Sequence, residues 1–235
     1  MTDHDGKRLF LGLRVSVATA NGLAQCAEQL ARRAREANLE VKWVSPANYH
    51  LTLKFLGWTR ADLIEAIDDR IAAAIAGPPG IGPFKFKTAK LGAFPSLDKS
   101  TVVWAGVEDP GAIAELARRI EAAAVELGFA AETRPFHPHV TLGRVRETRL
   151  LREVVLPMSE QMFSASSADS VILFESETKS SGSVYKEISK IALKSAPEAP
   201  LDTEKRQTGA LDLGDETDDG WPRDRATKDA KGSTY

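Results

Sequence analysis

Apolar residues recur with two different spacings along the first 194 residues of the chain. Four segments repeat them every three or four residues, as on one face of a helix: 21–37, 59–76, 109–127 and, more weakly, 149–157. Shorter apolar runs predict strands at 9–17, 39–44, 50–57, 84–94, 101–107, 129–133, 139–145, 169–175 and 184–193. This mixture of elements in one patterned region predicts a domain of the α+β class.

The predicted helix 109–127 carries signals at both ends. Asp109 is suited to cap the helix, and Pro110 has the backbone angle that the first helical position requires. Gly128 follows the last periodic residue, where helices commonly end. The sequence therefore predicts where this helix begins and where it stops.

The order of the predicted elements is repeated along the chain. From the first strand it runs strand, helix, strand, strand, helix, strand, and the same order starts again at Thr101. In the first copy a helix ends at Asn38, and twelve residues later a strand begins with His50-Leu51-Thr52-Leu53. In the second copy a helix ends at Gly128, and eleven residues later a strand begins with His139-Val140-Thr141-Leu142. The two halves therefore match in spacing as well as in motif.

A threonine then starts the next predicted helix in each copy, at Thr59 and Thr148. Two copies of one unit predict a bilobal fold with pseudo-two-fold symmetry. We expect two lobes, formed by about residues 8–94 and 101–193, each with a mainly antiparallel sheet and outer helices. An active-site cleft is expected between the lobes.

Alternate side chains of a strand point to the same face. His50 and Thr52 therefore share one face of the first motif strand. The other face is predicted to turn Leu51, Leu53 and Phe55 toward the core. The polar pair is thus expected to line the cleft.

The second motif strand alternates in the same way and places His139 and Thr141 on one face. With a reference pKa near 6.5, one imidazole can act as a general base while the other, protonated, acts as a general acid. Threonine hydroxyls can donate hydrogen bonds to phosphoryl oxygens as negative charge builds up. The combination suits in-line displacement at phosphorus and requires no metal ion or other cofactor.

The overall composition limits the function further. The chain is 43% hydrophobic and 27% charged, as in ordinary globular proteins, and its one cysteine, Cys26, excludes a disulfide framework. No apolar run reaches the roughly 20 residues of a membrane-spanning helix. A net charge of −2 argues against a broad basic surface for long nucleic acids. We therefore expect a cytoplasmic monomer that does not bind membranes.

The apolar pattern stops after Leu193. Residues 195–235 hold ten Asp or Glu and six Lys or Arg, with few large apolar side chains. Such a composition cannot bury enough surface to offset the entropy lost on ordering. We therefore predict a folded domain at 1–194 and a disordered acidic tail at 195–235.

The two motifs resemble the paired signatures of the two-histidine phosphoesterases. The matching segments are 50–57, HLTLKFLG, and 138–144, PHVTLGR. They are most similar to the RNA 2′,3′-cyclic phosphodiesterase branch, historically called 2′-5′ RNA ligases. The segments RLFL at 8–11, FPS at 94–96 and VWAGV at 103–107 are similar to that branch as well. The resemblance extends over about residues 8–193.

The resemblance implies hydrolysis of RNA 3′ ends that bear a 2′,3′-cyclic phosphate, or of small cyclic nucleotides. The products would be a 2′-phosphomonoester and a free 3′-hydroxyl. In this family scheme His50 is the proton donor to the leaving 3′ oxygen, and His139 is the proton acceptor that activates water. Thr52 and Thr141 would hold the phosphoryl oxygens. The symmetry of the motifs does not itself decide which imidazole is the acid.

Two further residues are candidates for phosphate binding. Arg144 matches an arginine that contacts phosphate in the family, but simple alternation places it opposite His139. It reaches the cleft only if the strand bends or bulges at Gly143. Lys54 has the same parity as His50, so it is expected either to add positive charge at the cleft rim or to be a solvated surface lysine.

Other interpretations stay open at this point. His50, His137 and His139 are enough in number for a catalytic zinc site, although that site would leave both threonines unexplained. A non-catalytic module that binds nucleotides or RNA ends needs hydrogen-bond donors but no acid–base pair. Joining of RNA ends through a 2′-5′ linkage is the reverse of the hydrolysis, and water disfavours it unless the site excludes water.

The tail at 195–235 is expected to be dispensable for catalysis, because its composition cannot form a core and both motifs lie upstream. A protein truncated after Lys194 should keep kcat/KM within a few-fold on an oligonucleotide with a 2′,3′-cyclic end. A loss of several orders of magnitude would show instead that the tail closes over the site.

Overall fold

The computed structural model describes residues 6–108, 111–179 and 182–194. Within them the strands are β1 (Gly6–Arg14), β2 (Lys42–Trp43), β3 (His50–Arg60), β4 (Phe84–Phe94), β5 (Ser100–Glu108), β6 (His139–Arg149), β7 (Met162–Ala168), β8 (Ser170–Lys179) and β9 (Gly182–Ala192). The α-helices are α1 (Val17–Glu36), α2 (Ile64–Ala76), α3 (Ala112–Glu126) and α4 (Arg152–Val155). The predicted disordered tail and the Asp109-Pro110 helix start lie outside the described residues.

The strands form one antiparallel sheet, in the order β7-β4-β5-β6-β3-β1-β8-β9, with β2 paired to β6. The two motif strands, β3 and β6, are neighbours at its centre and pair at Leu51 and Val140. The antiparallel direction sets Thr141 toward His50 and Thr52 toward His139. The predicted α+β class, with an antiparallel sheet and helices packed on it, is confirmed, and the repeated strands lie side by side.

Two apolar cores hold the helices against one face of the sheet. In the first, Ile71 of α2 and Ile120 of α3 pack with Leu11 of β1 and Leu51 of β3, all of them fully buried. The second core joins α1 and α4 to β4, β5 and β6. Because the cores occupy one face, the opposite face of the central strands is left for polar and aromatic side chains.

The two halves of the sheet do not coincide with the segments 8–94 and 101–193. Strand β4 pairs with β5 and β7, whereas β8 pairs with β1. The reason is local: the short turn 95–99 joins β4 and β5 into a hairpin, so the boundary between the repeats falls inside a hairpin. Each half therefore combines strands from both repeats.

The structure differs from the predicted elements at four places. Strands β3 and β6 continue through Thr59 and Thr148, so neither threonine starts a helix. Residues 129–133 are not a strand, because the Ala130 carbonyl and the Glu132 amide bind side chains instead of a neighbouring strand. Strand β7 was not predicted, since its sequence MFSASSA has neither β-branched residues nor a strict apolar alternation.

Hydrogen bonds from α1 hold strand β7 in place, in addition to its apolar packing. The hydroxyl of Thr19 in α1 donates to the Ser164 carbonyl at 2.8 Å and is hydrogen-bonded to the Ser166 hydroxyl at 3.0 Å.

None of the helices in the described part of the chain is long and apolar enough to cross a membrane.

Gly12 permits the close approach of β1 to the first motif strand. A Cβ atom at this position would lie 2.7 Å from the Leu51 carbonyl oxygen and 3.5 Å from Cδ2 of His50. The first contact is with backbone and cannot be relieved by a side-chain rotation. Gly12→Ala should therefore lower the free energy of unfolding by about 1–3 kcal/mol in urea titrations.

Gly22→Ala is the matched control for this substitution. Gly22 lies inside α1, and a Cβ atom there would meet only the Phe163 ring at 3.5 Å, an ordinary contact. Because alanine is a better helix former than glycine, the free energy of unfolding of this variant should rise by up to about 1 kcal/mol. Equal effects of the two substitutions would contradict the proposed role of Gly12.

Candidate active site

Both motif strands bulge directly after their threonine. Opposite β1, the register shifts between the pairs Gly12–Thr52 and Leu11–Lys54, which leaves Leu53 as an extra residue. Opposite β5, it shifts between the pairs Trp104–Thr141 and Val103–Gly143, which leaves Leu142 as an extra residue. A bulge reverses the side-chain alternation beyond it. The repeat therefore includes the irregularity as well as the motif.

The bulge in β3 overturns two expectations. Lys54 was expected at the cleft rim or in solvent, but its side chain is 5% exposed and forms an ion pair with Glu121. Phe55 was expected in the core, but it is 61% exposed, on the face of His50 and Thr52. Both predictions assumed unbroken alternation, and the extra Leu53 reverses it.

The equivalent bulge in β6 brings Arg144 to the histidine face. Arg144 is exposed, and its positive charge acts on both His50 and His139. Among the described residues it forms no ion pair within 4.0 Å. Its guanidinium is thus available to an anion near the two imidazoles.

His50 is held by hydrogen bonds at both ring nitrogens. Nδ1 lies 2.6 Å from the Asn48 carbonyl oxygen, and Nε2 lies 3.0 Å from the Thr52 hydroxyl. Because a carbonyl only accepts, Nδ1 carries the hydrogen, and in the neutral ring Nε2 accepts from Thr52. The ring packs against Phe10 at 4.8 Å and edge-on against Tyr185 at 5.1 Å between centroids.

His139 has the same anchor at the same place in its motif. Its Nδ1 lies 2.7 Å from the carbonyl oxygen of His137, two residues earlier. The ring stands edge-on to Phe94 at 5.0 Å and lies 6.4 Å from Trp104. Each imidazole is therefore anchored to the backbone through Nδ1, keeps Nε2 clear of the backbone, and is surrounded by aromatic rings.

The environment favours neutral imidazoles at both positions. Burial lowers the pKa of His50 to about 4, with smaller contributions from the positive charges of His139, Arg14 and Arg144. Burial also lowers the pKa of His139, assisted by the charges of His137 and Arg144. In both rings the hydrogen bond to a backbone carbonyl opposes this shift. An anion between the rings would favour their protonated forms.

Several residues of the site were not singled out by sequence reasoning. Phe10, Gly12 and Arg14 alternate along the face of β1 that carries the histidines, and Arg14 lies opposite His50 in the pairing of β1 with β3. Arg14 also forms an ion pair with Glu187 of β9. Period-two alternation in the segment 8–14 was the available signal, but it does not tell which face is the functional one.

A metal site does not assemble from the predicted residues. Within residues 6–108, 111–179 and 182–194, no three His, Cys, Asp or Glu side chains are grouped so that they could hold a metal ion. His137 is exposed and contacts the Trp104 ring edge-on at 5.0 Å. The structure therefore offers no specific support for the zinc interpretation.

A single antiparallel sheet that brings two His-x-Thr strands together is the arrangement of a two-histidine phosphoesterase. A family model described as the 2′-5′ RNA ligase superfamily matches residues 22–173. The match includes both motifs and more than half of the chain. The protein therefore belongs to the 2′-5′ RNA ligase superfamily.

Two relatives that match this chain in sequence have the same name. The RNA 2′,3′-cyclic phosphodiesterase of Methanothermobacter thermautotrophicus is 29% identical over 174 residues, which cover 73% of this chain and 92% of the relative. The protein of the same name from Archaeoglobus fulgidus is 31% identical over 149 residues, covering 63% and 81% of the two chains.

Solved structures with this fold include two bacterial proteins. A protein of Thermus thermophilus matches with a TM-score of 0.64 and 24% identity, over 79% of this chain and 97% of that one. Escherichia coli LigT complexed with 3′-AMP matches with a TM-score of 0.57 and 25% identity, over 80% and 98% of the two chains. The likeness covers about four fifths of this chain and nearly the whole of both solved proteins.

The electrostatics of the site can be tested by NMR titration of the histidine ring signals in phosphate-free buffer. His50 should titrate with a pKa of about 4, and His139 below the ordinary histidine value. Inorganic phosphate should raise both, because an anion favours the imidazolium form. If the pKa of His50 is instead near 6.5, the ordinary value for histidine, the ring is solvated in solution and burial does not lower its pKa.

Proposed function

We propose that this protein hydrolyses the 2′,3′-cyclic phosphodiester at the 3′ end of RNA to a 2′-phosphomonoester and a free 3′-hydroxyl. The observation that carries this proposal is the mirrored anchoring of His50 and His139 by backbone carbonyls, which turns two Nε2 atoms to one face of adjacent strands. Two such nitrogens are what a displacement at phosphorus needs, one on either side of the reacting atom.

His139 serves as the general base in this proposal. Its Nδ1–H is bound to a carbonyl, so the neutral ring has its lone pair on Nε2. Its lowered pKa keeps it neutral at physiological pH. Nε2 takes a proton from water as the water oxygen forms its bond to phosphorus.

His50 serves as the general acid. It delivers the proton of Nε2 to the 3′ oxygen as the bond between phosphorus and that oxygen breaks. Its pKa of about 4 disfavours this protonated form until the substrate binds. The negative charge of the cyclic phosphate then raises the pKa, so the acid is charged when the anion is in place.

Hydrogen-bond donors and positive charge stabilise the phosphoryl group. Thr52 and Thr141 lie on the histidine faces of β3 and β6, two residues after each histidine, and donate to the non-bridging oxygens. The hydroxyl hydrogen of Thr52 is released for this role when Nε2 of His50 is protonated and no longer accepts it. Arg144 adds a charged donor on the same face. Lys54 is excluded from this role, because its ammonium is buried against Glu121.

The substrate is proposed from the named relatives and from the aromatic surfaces of the site. Relatives that match most of the folded region are named RNA 2′,3′-cyclic phosphodiesterases, and LigT has been crystallised with 3′-AMP. Phe55, exposed beside the motif, offers a ring against which a nucleobase can stack. We therefore assign RNA ends with a cyclic phosphate, or the corresponding small cyclic nucleotides, as substrates.

Removal of either histidine should lower kcat steeply without unfolding the protein. General acid and general base contributions are each worth about 10²–10⁴-fold, so His50→Ala and His139→Ala should each lose roughly that factor. The assay is hydrolysis of a cyclic-ended oligonucleotide in the presence of a chelator, with identification of the product ends. Thr52→Ala and Thr141→Ala should cost less, about 2–4 kcal/mol at most.

His137→Ala is the matched control for these substitutions. His137 anchors His139 through its backbone carbonyl, and its ring lies beside that of His139 at 6.4 Å between centroids without a hydrogen bond to it, so loss of the side chain should leave kcat within a few-fold. A zinc site would instead require the side chain, and chelator would then silence the parent protein. Near wild-type rates in both of the other histidine variants would refute the acid–base mechanism.

A further inference from the structure

The symmetry between the two motif strands is broken at one position. Lys54 follows the bulge of β3, and Gly143 follows the bulge of β6. Gly143 makes room for β2, since a Cβ atom there would lie 2.8 Å from Val41 and 3.0 Å from the Trp43 ring. At the equivalent position of β3 a charged side chain is directed away from the cleft instead.

The Lys54 ammonium binds a carboxylate and a backbone carbonyl. Nζ lies 2.9 Å and 2.8 Å from the two carboxylate oxygens of Glu121 in α3, and 2.7 Å from the Ala130 carbonyl oxygen. Nζ donates hydrogen bonds to one Glu121 oxygen and to the Ala130 carbonyl, and the second Glu121 oxygen contributes to the ion pair. Glu121 in turn accepts the backbone N–H of Glu132 at 2.8 Å. The pair thus holds two points of one segment of backbone.

That segment belongs to the loop that leads into the second motif. Residues 131–137 of this loop are all exposed, so apolar burial does not fix their path. At its far end the Pro138 carbonyl accepts from the Val107 amide at 3.1 Å, and the His137 carbonyl holds Nδ1 of His139 at 2.7 Å. The contacts of Lys54 and Glu121 are therefore the attachment of the loop on the β3 side.

We propose that the Lys54–Glu121 pair positions His139 by fixing the loop 130–138 that carries its backbone anchor. The pair links β3, which carries the first histidine, to the loop that orients the second. Lys54 is 5% exposed and Glu121 30%. An ion pair with a buried member adds little net stability compared with apolar replacements, so a positioning role gives a reason for a charged pair at this place. The inference rests on the proposed function in that it treats His139 as the general base.

The test separates positioning from stability. Glu121→Leu leaves the Lys54 charge buried without a partner and should lower the urea midpoint strongly, whereas Lys54→Met/Glu121→Leu should restore most of it. The double variant still lacks both backbone contacts, so its kcat should be 10- to 100-fold below wild type with KM within about threefold. A purely structural pair predicts that kcat recovers together with stability, and that result would overturn the proposal.

An exposed ion pair between neighbouring helices supplies the matched control. Arg70 of α2 forms an ion pair with Glu126 of α3, and this pair has no hydrogen bond to the loop 130–138. Arg70→Met/Glu126→Leu should therefore leave kcat unchanged. If the double variant at Lys54 and Glu121 does not fold, Glu121→Gln keeps the side-chain shape, weakens the same contacts and gives the same comparison.

A second readout does not depend on turnover. In the double variant at Lys54 and Glu121, amide exchange of residues 130–138 should accelerate, and the ring ¹⁵N signals of His139 should shift while those of His50 stay in place. Unchanged exchange and unchanged His139 signals would refute the positioning role whatever the activity. If wild-type protein hydrolyses no cyclic phosphate while the signals move as expected, the proposed function fails and the positioning of His139 stands.

Discussion

The pairing of β3 with β6 at Leu51 and Val140 joins the two halves of the sheet, and the geometry of the site depends on it. Both bridge residues point into the cores under the helices, so the flanking histidines and threonines point to the other face. The bulges that follow then return one more residue of each strand to that face. The pairing at Leu51 and Val140, with a bulge beside it in each strand, thus defines which side chains share the histidine face.

The two imidazoles share their anchoring but differ in their surroundings. His50 lies among Phe10, Phe174 and Tyr185, in strands that belong to the sheet. His139 lies against Phe94 and Trp104 instead, and the loop before it is exposed at residues 131–137. A pair of equivalent motifs can therefore serve two unlike steps, because burial and loop attachment, and not the motif residues, distinguish the two nitrogens.

Sequence reasoning predicted the elements that follow from regular periodicity. The helices near 17–36, 64–76 and 112–126 and the two motif strands were found because their apolar spacing is regular. It failed where regularity ends: Lys54 and Phe55 were placed on the wrong faces because nothing in HLTLKF marks an extra residue at Leu53. Arg144 was the exception, since Gly143 hinted at a bulge. The exchange of strands between the repeats could not be predicted, because it depends on pairing between distant segments.

Both catalytic candidates are oriented by carbonyl oxygens of the main chain, at Asn48 and His137. Every amino acid has such an oxygen, so the tautomer of each ring is independent of which side chains occupy those two positions. Substitutions at these two positions can alter the charge or shape of the surface near the histidines, while each neutral ring keeps its hydrogen on Nδ1. The anchoring thereby separates what must stay constant for the chemistry from what can vary as substrates change in the course of evolution.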